Sequence, residues 1–268
     1  MKWWGACGIL MGAGAAAGVA ASAHLAVRRY RFTSKKLTGP VKLAVLSDLH
    51  STLYGKGQRQ LLSLLEAEQP DGIFLPGDMV DDRAKEQGAW TLLEALGGRY
   101  PCWYVTGNHE FRIPDVERVL NRIQSCGIHV LAGMAEETIL AGQPLCIGGF
   151  DALGIEDGRW RRQLARCQAG RIPGCYSILL SHRPNFVTEF SACGYELVVC
   201  GHAHGGQWRI PGVLNGLYAP EQGLFPDYAG GLYKLGNCTM VVSRGLARNF
   251  LPRIFNPPEV PIITLLPA

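Results

Sequence analysis

Acidic residues are missing from the first 40 positions of this 268-residue chain, and no C-x-x-C pair occurs among its nine cysteines. An odd number of cysteines scattered from Cys7 to Cys238 excludes a disulfide framework and a zinc ribbon; it fits reduced, mostly buried thiols. Charge is scarce, at 18% of residues against 47% hydrophobic ones, which excludes disorder and suffices for a sizeable core. The 34 glycines follow no G-X-Y period, so a collagen-like chain is excluded as well. A basic nucleic-acid-binding surface is equally missing. Lys2, Arg28, Arg29, Arg31, Lys35 and Lys36 give residues 1–40 a local +6, and the remaining 20 basic and 22 acidic residues leave 41–268 at −2.

From Trp3 to Val27 there are 25 residues without Asp, Glu, Lys or Arg. At about 1.5 Å per residue, a helix of that length crosses a hydrocarbon core of about 30 Å. Trp3 and Trp4 would anchor one interface and Arg28, Arg29 and Arg31 the other. A cleaved signal peptide is the competing reading, with Ala21-Ser22-Ala23 as the small-residue cleavage site. The run is long for a signal's apolar region, which favours an uncleaved anchor. One Lys precedes the span and five Lys/Arg follow it, so the positive-inside rule places residues 28–268 in the cytoplasm at the cell membrane; an exported, extracytoplasmic domain is the alternative. The expected division is an anchor over 1–27, a basic juxtamembrane linker over 28–40, and one domain over 41–268.

Beyond residue 40, apolar runs alternate with helical patterns. Val41–Ser47, Gly72–Pro76 and Trp103–Thr106 read as buried strands, interleaved with helices near 58–68, 84–96 and 114–126. Shorter strands follow at 128–131, 138–140 and 145–149, then a helix over 159–168 and strands at 176–180 and 196–199. Residues 205–236 are dense in Gly, Pro and aromatics, and strands at 239–243 and 260–265 close the chain. This rhythm predicts a layered α/β domain.

Polar residues follow the strand-like runs. The turns read Asp48-Leu49-His50, Gly77-Asp78-Met79-Val80-Asp81, Gly107-Asn108-His109-Glu110, Ser181-His182-Arg183 and Gly201-His202-Ala203-His204-Gly205-Gly206. Five of the seven histidines lie in these turns, which need no imidazole for their geometry. Ligands of α/β sheets bind beyond the carboxyl ends of strands, so the five turns could converge on one crevice. Asp48, Asp78, Asn108, His50, His182, His202 and His204 form an oxygen and nitrogen donor set without thiolate, suited to Mn, Fe or Zn rather than Ca or Mg. Seven donors exceed what one ion needs, so two divalent ions sharing a carboxylate is the natural count.

The series D-x-H, G-D, G-N-H-E, H and G-H-x-H resembles the calcineurin-like metallophosphoesterase superfamily, over residues 41–266. The G-H-A-H-G-G-Q form behind a membrane segment resembles its bacterial membrane-associated phosphodiesterase branch. The resemblance implies a four-layer α/β/β/α sandwich with two mixed sheets, here preceded by an N-terminal transmembrane helix. It implies one metal on Asp48, His50 and His204, another on Asn108, His182 and His202, and Asp78 as the bridge, with manganese first among the candidate ions. His109 would be the catalytic histidine, and Asp81 the acid that orients it, with Asp82 beside it. Arg112 and Arg183 are positioned to contact phosphate or to form ordinary salt bridges. Gln207, Trp208, Tyr218, Phe225 and Tyr228 either line a substrate rim or pack locally.

The implied activity is hydrolysis of phosphodiester or phosphoanhydride bonds by a metal-activated hydroxide, with lipid-linked phosphates or pyrophosphates favoured by the anchor. A broad-specificity phosphomonoesterase is the enzymatic alternative. A nuclease is disfavoured by the −2 domain, which offers no basic groove. A non-catalytic scaffold would have lost ligands, and none is missing.

Overall fold

The computed structural model describes Gly14 and residues 16–151, 158–248 and 251–268. Two six-stranded mixed sheets face each other. The first runs β1 (Ala26–Ser34), β14 (Glu259–Pro267), β2 (Val41–Val45), β3 (Gly72–Pro76), β4 (Cys102–Val105), β5 (His129–Val130). The second runs β12 (Gly231–Leu235), β13 (Cys238–Val242), β9 (Leu197–Cys200), β8 (Tyr176–Ser181), β7 (Gln143–Phe150), β6 (Met134–Leu140). A short hairpin, β10 (Tyr218–Ala219) and β11 (Gly223–Leu224), stands apart.

Period-two alternation explains why these runs become central strands. Along β2, Val41, Leu43 and Val45 face the second sheet while Ala44 faces outward to the helices; β9 does the same with Leu197 and Val199 against Val198 and Cys200. Outside the first sheet lie α1 (Arg59–Glu68), α2 (Gln87–Gly97) and α3 (Val116–Ser125), which insert Leu61, Leu65, Trp90, Leu93, Val119 and Ile123. Outside the second lie α4 (Arg159–Ala169) and α5 (Val187–Ala192), with Trp160, Leu164 and Phe190. The layers are therefore α/β/β/α. Each fully buried Leu, Ile, Val or Phe contributes about 1.5–3 kcal/mol. α3 starts two residues later than the Pro114 signal because the Asp115 side chain accepts from Arg118 N at 3.0 Å, making Asp115 the N-cap.

The N-terminal expectations change. Residues 1–13 and 15, about half of the expected anchor over 1–27, lie outside the described residues. Residues 16–21 are helical, Ser22 begins a turn, and Ala26 already belongs to β1. Among the described residues, no helix is long and apolar enough to cross a membrane. The stretch 28–40 is not a free linker, because β1 pairs in parallel with β14 from Ala26↔Glu259 to Ser34↔Pro267. Its basic residues are partly engaged: Arg28 lies 3.7 Å from Glu259, and Arg29 pairs with Glu68.

Candidate metal centre

β2, β3 and β4 run parallel, as do β7, β8 and β9, so the carboxyl ends of both sheets open at one edge of the sandwich. The turns leaving β2, β3, β4, β8 and β9 bring all seven candidate ligands and His109 together there. Asp48, His50 and His204 offer one ligand atom each within 4.8 Å of one another, and so do Asp78, His182 and His202. Asn108 Oδ1 joins the second group at 3.2 Å from His182 Nε2. His50 Nε2 lies 3.6 Å from Asp78 Oδ2, and His182 Nε2 lies 3.2 Å from the same oxygen, which places Asp78 between the groups.

The hydrogen bonds fix which atoms face inward. The Pro76 carbonyl can only accept, so His182 donates Nδ1–H to it at 2.8 Å and turns Nε2 toward Asp78. His50 donates Nδ1–H to Asp81 Oδ2 at 2.8 Å, leaving Nε2 inward. Asp48 Oδ2, His50 Nε2, His202 Nε2 and His204 Nδ1 are buried and have no hydrogen-bond partner in the protein. His202 Nδ1 lies 3.0 Å from His182 Nε2, and His204 Nε2 lies 3.8 Å from Asp48 Oδ1. Nitrogen and oxygen donors crowded together in this way suit cations, so the set fits divalent transition metals. Burial alone would lower His182, but the Asp78 and Asp48 carboxylates lift its imidazole to about 9. Burial would raise Asp78, yet His182 and His50 hold it well below the usual carboxylate range. Burial keeps His202 and His204 well below the ordinary imidazole value, with neighbouring imidazoles adding to the effect.

Tight backbone makes the convergence possible. A Cβ on Gly107 would lie 2.0 Å from Asp78 Oδ1, and one on Gly205 would lie 2.2 Å from Asn256 Oδ1. Asn256 in turn donates Nδ2–H to the His204 carbonyl at 2.7 Å.

The orienting acid differs from the expectation. His109 Nδ1 lies 2.5 Å from Asp82 Oδ1 and 3.5 Å from Asp81 Oδ2. Asp82 therefore holds His109, whereas Asp81 is taken by His50; the turn after Val80 presents both carboxylates to adjacent imidazoles. Arg112 donates Nη1–H toward His109 Nε2 at 3.3 Å. Arg183 pairs with Glu221 at 3.1 Å, and Glu221 lies 3.8 Å from His202 Nε2. Glu110, which ends the G-N-H-E motif, has a structural role. It is fully buried and accepts the backbone N–H groups of Asp78, Met79, Val80 and Gly107 at 2.6–3.0 Å, tying the β3 turn to the β4 turn. A carboxylate directly after the histidine of a G-N-H turn, with uncapped turn amides nearby, was the available signal.

A cavity of about 360 Å³ opens over His50, His109 and His204, and Gln207, Tyr218 and Leu251 form its outer wall. Tyr228 instead packs edge-on against Tyr233 at 5.1 Å, and Phe225 is exposed outside the cavity.

A two-sheet sandwich that gathers imidazole, carboxylate and amide donors at parallel strand ends has the architecture of a metallophosphoesterase. The chain belongs to the calcineurin-like phosphoesterase family, whose model matches residues 41–206. It is similar to an uncharacterized metallophosphoesterase of Campylobacter jejuni, at 28% identity over 84% of this chain and 59% of that protein. It is also similar to Phosphodiesterase YaeI of Escherichia coli, at 27% identity over 87% of this chain and 84% of that one. A third relative, from Danio rerio, bears the name "Transmembrane protein with metallophosphoesterase domain", with 26% identity over 85% of this chain and 54% of that protein. The chain thus spans little more than half of the Campylobacter and Danio relatives.

Proposed function

We propose that this protein is a dimetal phosphodiesterase that acts on phosphodiester or phosphoanhydride bonds at a membrane surface. The observation that carries the reading is the pair of His/Asp donor groups that meet around Asp78, each with its ligand atoms within 4.8 Å of one another, and the cavity above them. Asp48, His50 and His204 would hold one ion, Asn108, His182 and His202 the other, and Asp78 both. When bound, two divalent transition metals, manganese foremost, lower the pKa of water and neutralise developing phosphoryl charge. His109, fixed by Asp82 through Nδ1, faces Arg112 through Nε2; with Arg112 turned to the phosphate, His109 would stabilise the charge on the leaving oxygen or protonate it from Nε2. Asp81 orients His50. Arg112 beside His109 would receive a phosphate oxygen, whereas Arg183 is engaged by Glu221, the salt-bridge alternative.

The uncharged stretch before β1 supports a membrane anchor, which would favour lipid-linked phosphodiesters or pyrophosphates. The five basic residues that follow it favour a cytoplasmic domain.

The test is metal analysis of the full-length protein with matched assays on a phosphodiester and a phosphomonoester. Two bound transition metals and diester preference are expected; monoester preference would select the phosphomonoesterase alternative. No metal and no hydrolysis with Mn, Fe or Zn would sink the proposal.

A further inference from the structure

Large apolar side chains are exposed unevenly on this molecule. Eight of the 12 that are exposed among the described residues belong to three segments, around Val19, 208–225 and Leu251. Val213 is 83% exposed, Leu224 66% and Phe225 65%; Ile139 is as exposed (71%) at the far sheet edge, but a concentration of such residues in one segment marks an interaction surface.

Hydrogen bonds draw these segments onto one face. Trp208 donates Nε1–H to the Pro252 carbonyl at 3.0 Å, and Gln207 donates Nε2–H to the Leu251 carbonyl at 2.8 Å. Leu217 N donates to Trp208 O, Phe225 N donates to Leu217 O, and Tyr218 pairs with Leu224. Phe255 N donates to Gly18 O, and Val19 and Leu251 line one small cavity. The only charged residues from 205 to 225 are Arg209 and Glu221. Arg209 donates Nε–H to the Asn215 carbonyl, and Glu221 turns inward to Arg183. Phe225 also holds a left-handed backbone (φ 57) that costs a bulky residue energy, while its ring stays in solvent.

We propose that this rim is an interfacial face that docks into a lipid bilayer and opens the metal centre at headgroup depth. Three observations select a bilayer as the occupant. The uncharged segment beginning at Trp3 joins the fold at this same face, through Gly18 and Ser22. Trp208 and Tyr218 combine an apolar body with a polar tip, the chemistry of the membrane interface. Tyr218 and Leu251 belong both to the rim and to the cavity over His50 and His109. Resting on the phosphoesterase reading, the substrate class is a lipid whose headgroup contains a phosphodiester or pyrophosphate. The acyl part stays in the bilayer while the headgroup reaches the site.

The experiment places an environment-sensitive thiol label on Val213→Cys, Phe225→Cys and, as control, Ile139→Cys at the far sheet edge, with the unsubstituted chain as background. The full chain is reconstituted in phosphatidylethanolamine/phosphatidylglycerol vesicles. Nitroxide-bearing lipid should quench the labels at 213 and 225 at least threefold more than the label at 139, and aqueous iodide should show the opposite order. Equal behaviour at the three positions overturns the proposal. So does shielding of 213 and 225 from both quenchers, which would assign the face to a second copy or to the N-terminal segment.

A second arm uses the combined Ile210→Ser, Val213→Ser and Leu224→Ser variant, none of whose positions lines the cavity. Its hydrolysis of a vesicle-embedded phosphodiester should fall about tenfold, with a water-soluble diester unaffected; equal loss on both substrates rejects the rim's role. If the unsubstituted chain hydrolyses neither, the phosphoesterase reading fails by itself, and the quenching result alone decides the docking.

Discussion

Asp48, His50, Asp78, His202 and His204 all sit on left-handed backbone, with φ between 46 and 69. None is glycine, and such positions cost on the order of 1–3 kcal/mol each. The turns would be more stable with glycine but would then lack the donor atoms, so the strain is borne where side chains must point inward. His109 is different, with ordinary helical φ and ψ, and it depends on a neighbour for its orientation. Two adjacent carboxylates have separable duties, and substitution distinguishes them. Asp81→Asn should weaken metal retention roughly 10–100-fold through loss of the bond to His50. Asp82→Asn should leave metal content intact and lower kcat. His109→Ala should also keep both metals while kcat falls about 10²–10⁴-fold. Metal titration beside steady-state kinetics reads all three variants, and metal loss in Asp82→Asn with none in Asp81→Asn would reverse the assignment.

At the scale of elements, Glu110 is the joint between two turns. Its carboxylate takes four backbone N–H groups, and an amide at that place would aim a donor at donors. Glu110→Gln should therefore cost about 2–3 kcal/mol, lowering Tm by roughly 5–10 °C in a domain of this size. Thermal unfolding checks this, and an unchanged Tm would mean the turns hold themselves. The central strands were legible because both their faces are buried: Gly72–Pro76 coincides residue for residue with its apolar run. β1 was not, since AVRRYRFTS is rich in arginine and reads as a charged connector. Its signal was the alternation Arg29-Tyr30-Arg31-Phe32, in which the aromatics turn toward the core and the arginines toward solvent. β12 hid in the same way within a glycine-rich stretch. The convergence of five turns was legible from their order alone, whereas the choice between Asp81 and Asp82 depended on side-chain direction, which spacing does not encode.

For the whole molecule, β1 moves the boundary of the folded unit. The parallel pairing of β1 with β14 covers what would otherwise be the first sheet's edge, and its side chains serve two cores. Leu25 and Val27 pack against the helix-facing cluster, and Tyr30 and Phe32 against the cluster between the sheets. All four are half-buried, so at about 1 kcal/mol each they contribute roughly 4 kcal/mol. That is a large share of the 5–15 kcal/mol typical of a whole domain. Removal would also leave the unpaired groups of β14 in solvent, an invitation to association. A chain beginning at Gly18 keeps β1 and the bond from Asn256 N to Ser22 Oγ at 2.8 Å. It should be monodisperse and melt in one transition. A chain beginning at Leu37 should aggregate or melt about 8–16 °C lower, at roughly 2–4 °C per kcal/mol. Light scattering and calorimetry on the two chains decide it, and matching melting curves would show that the basic stretch is a linker after all.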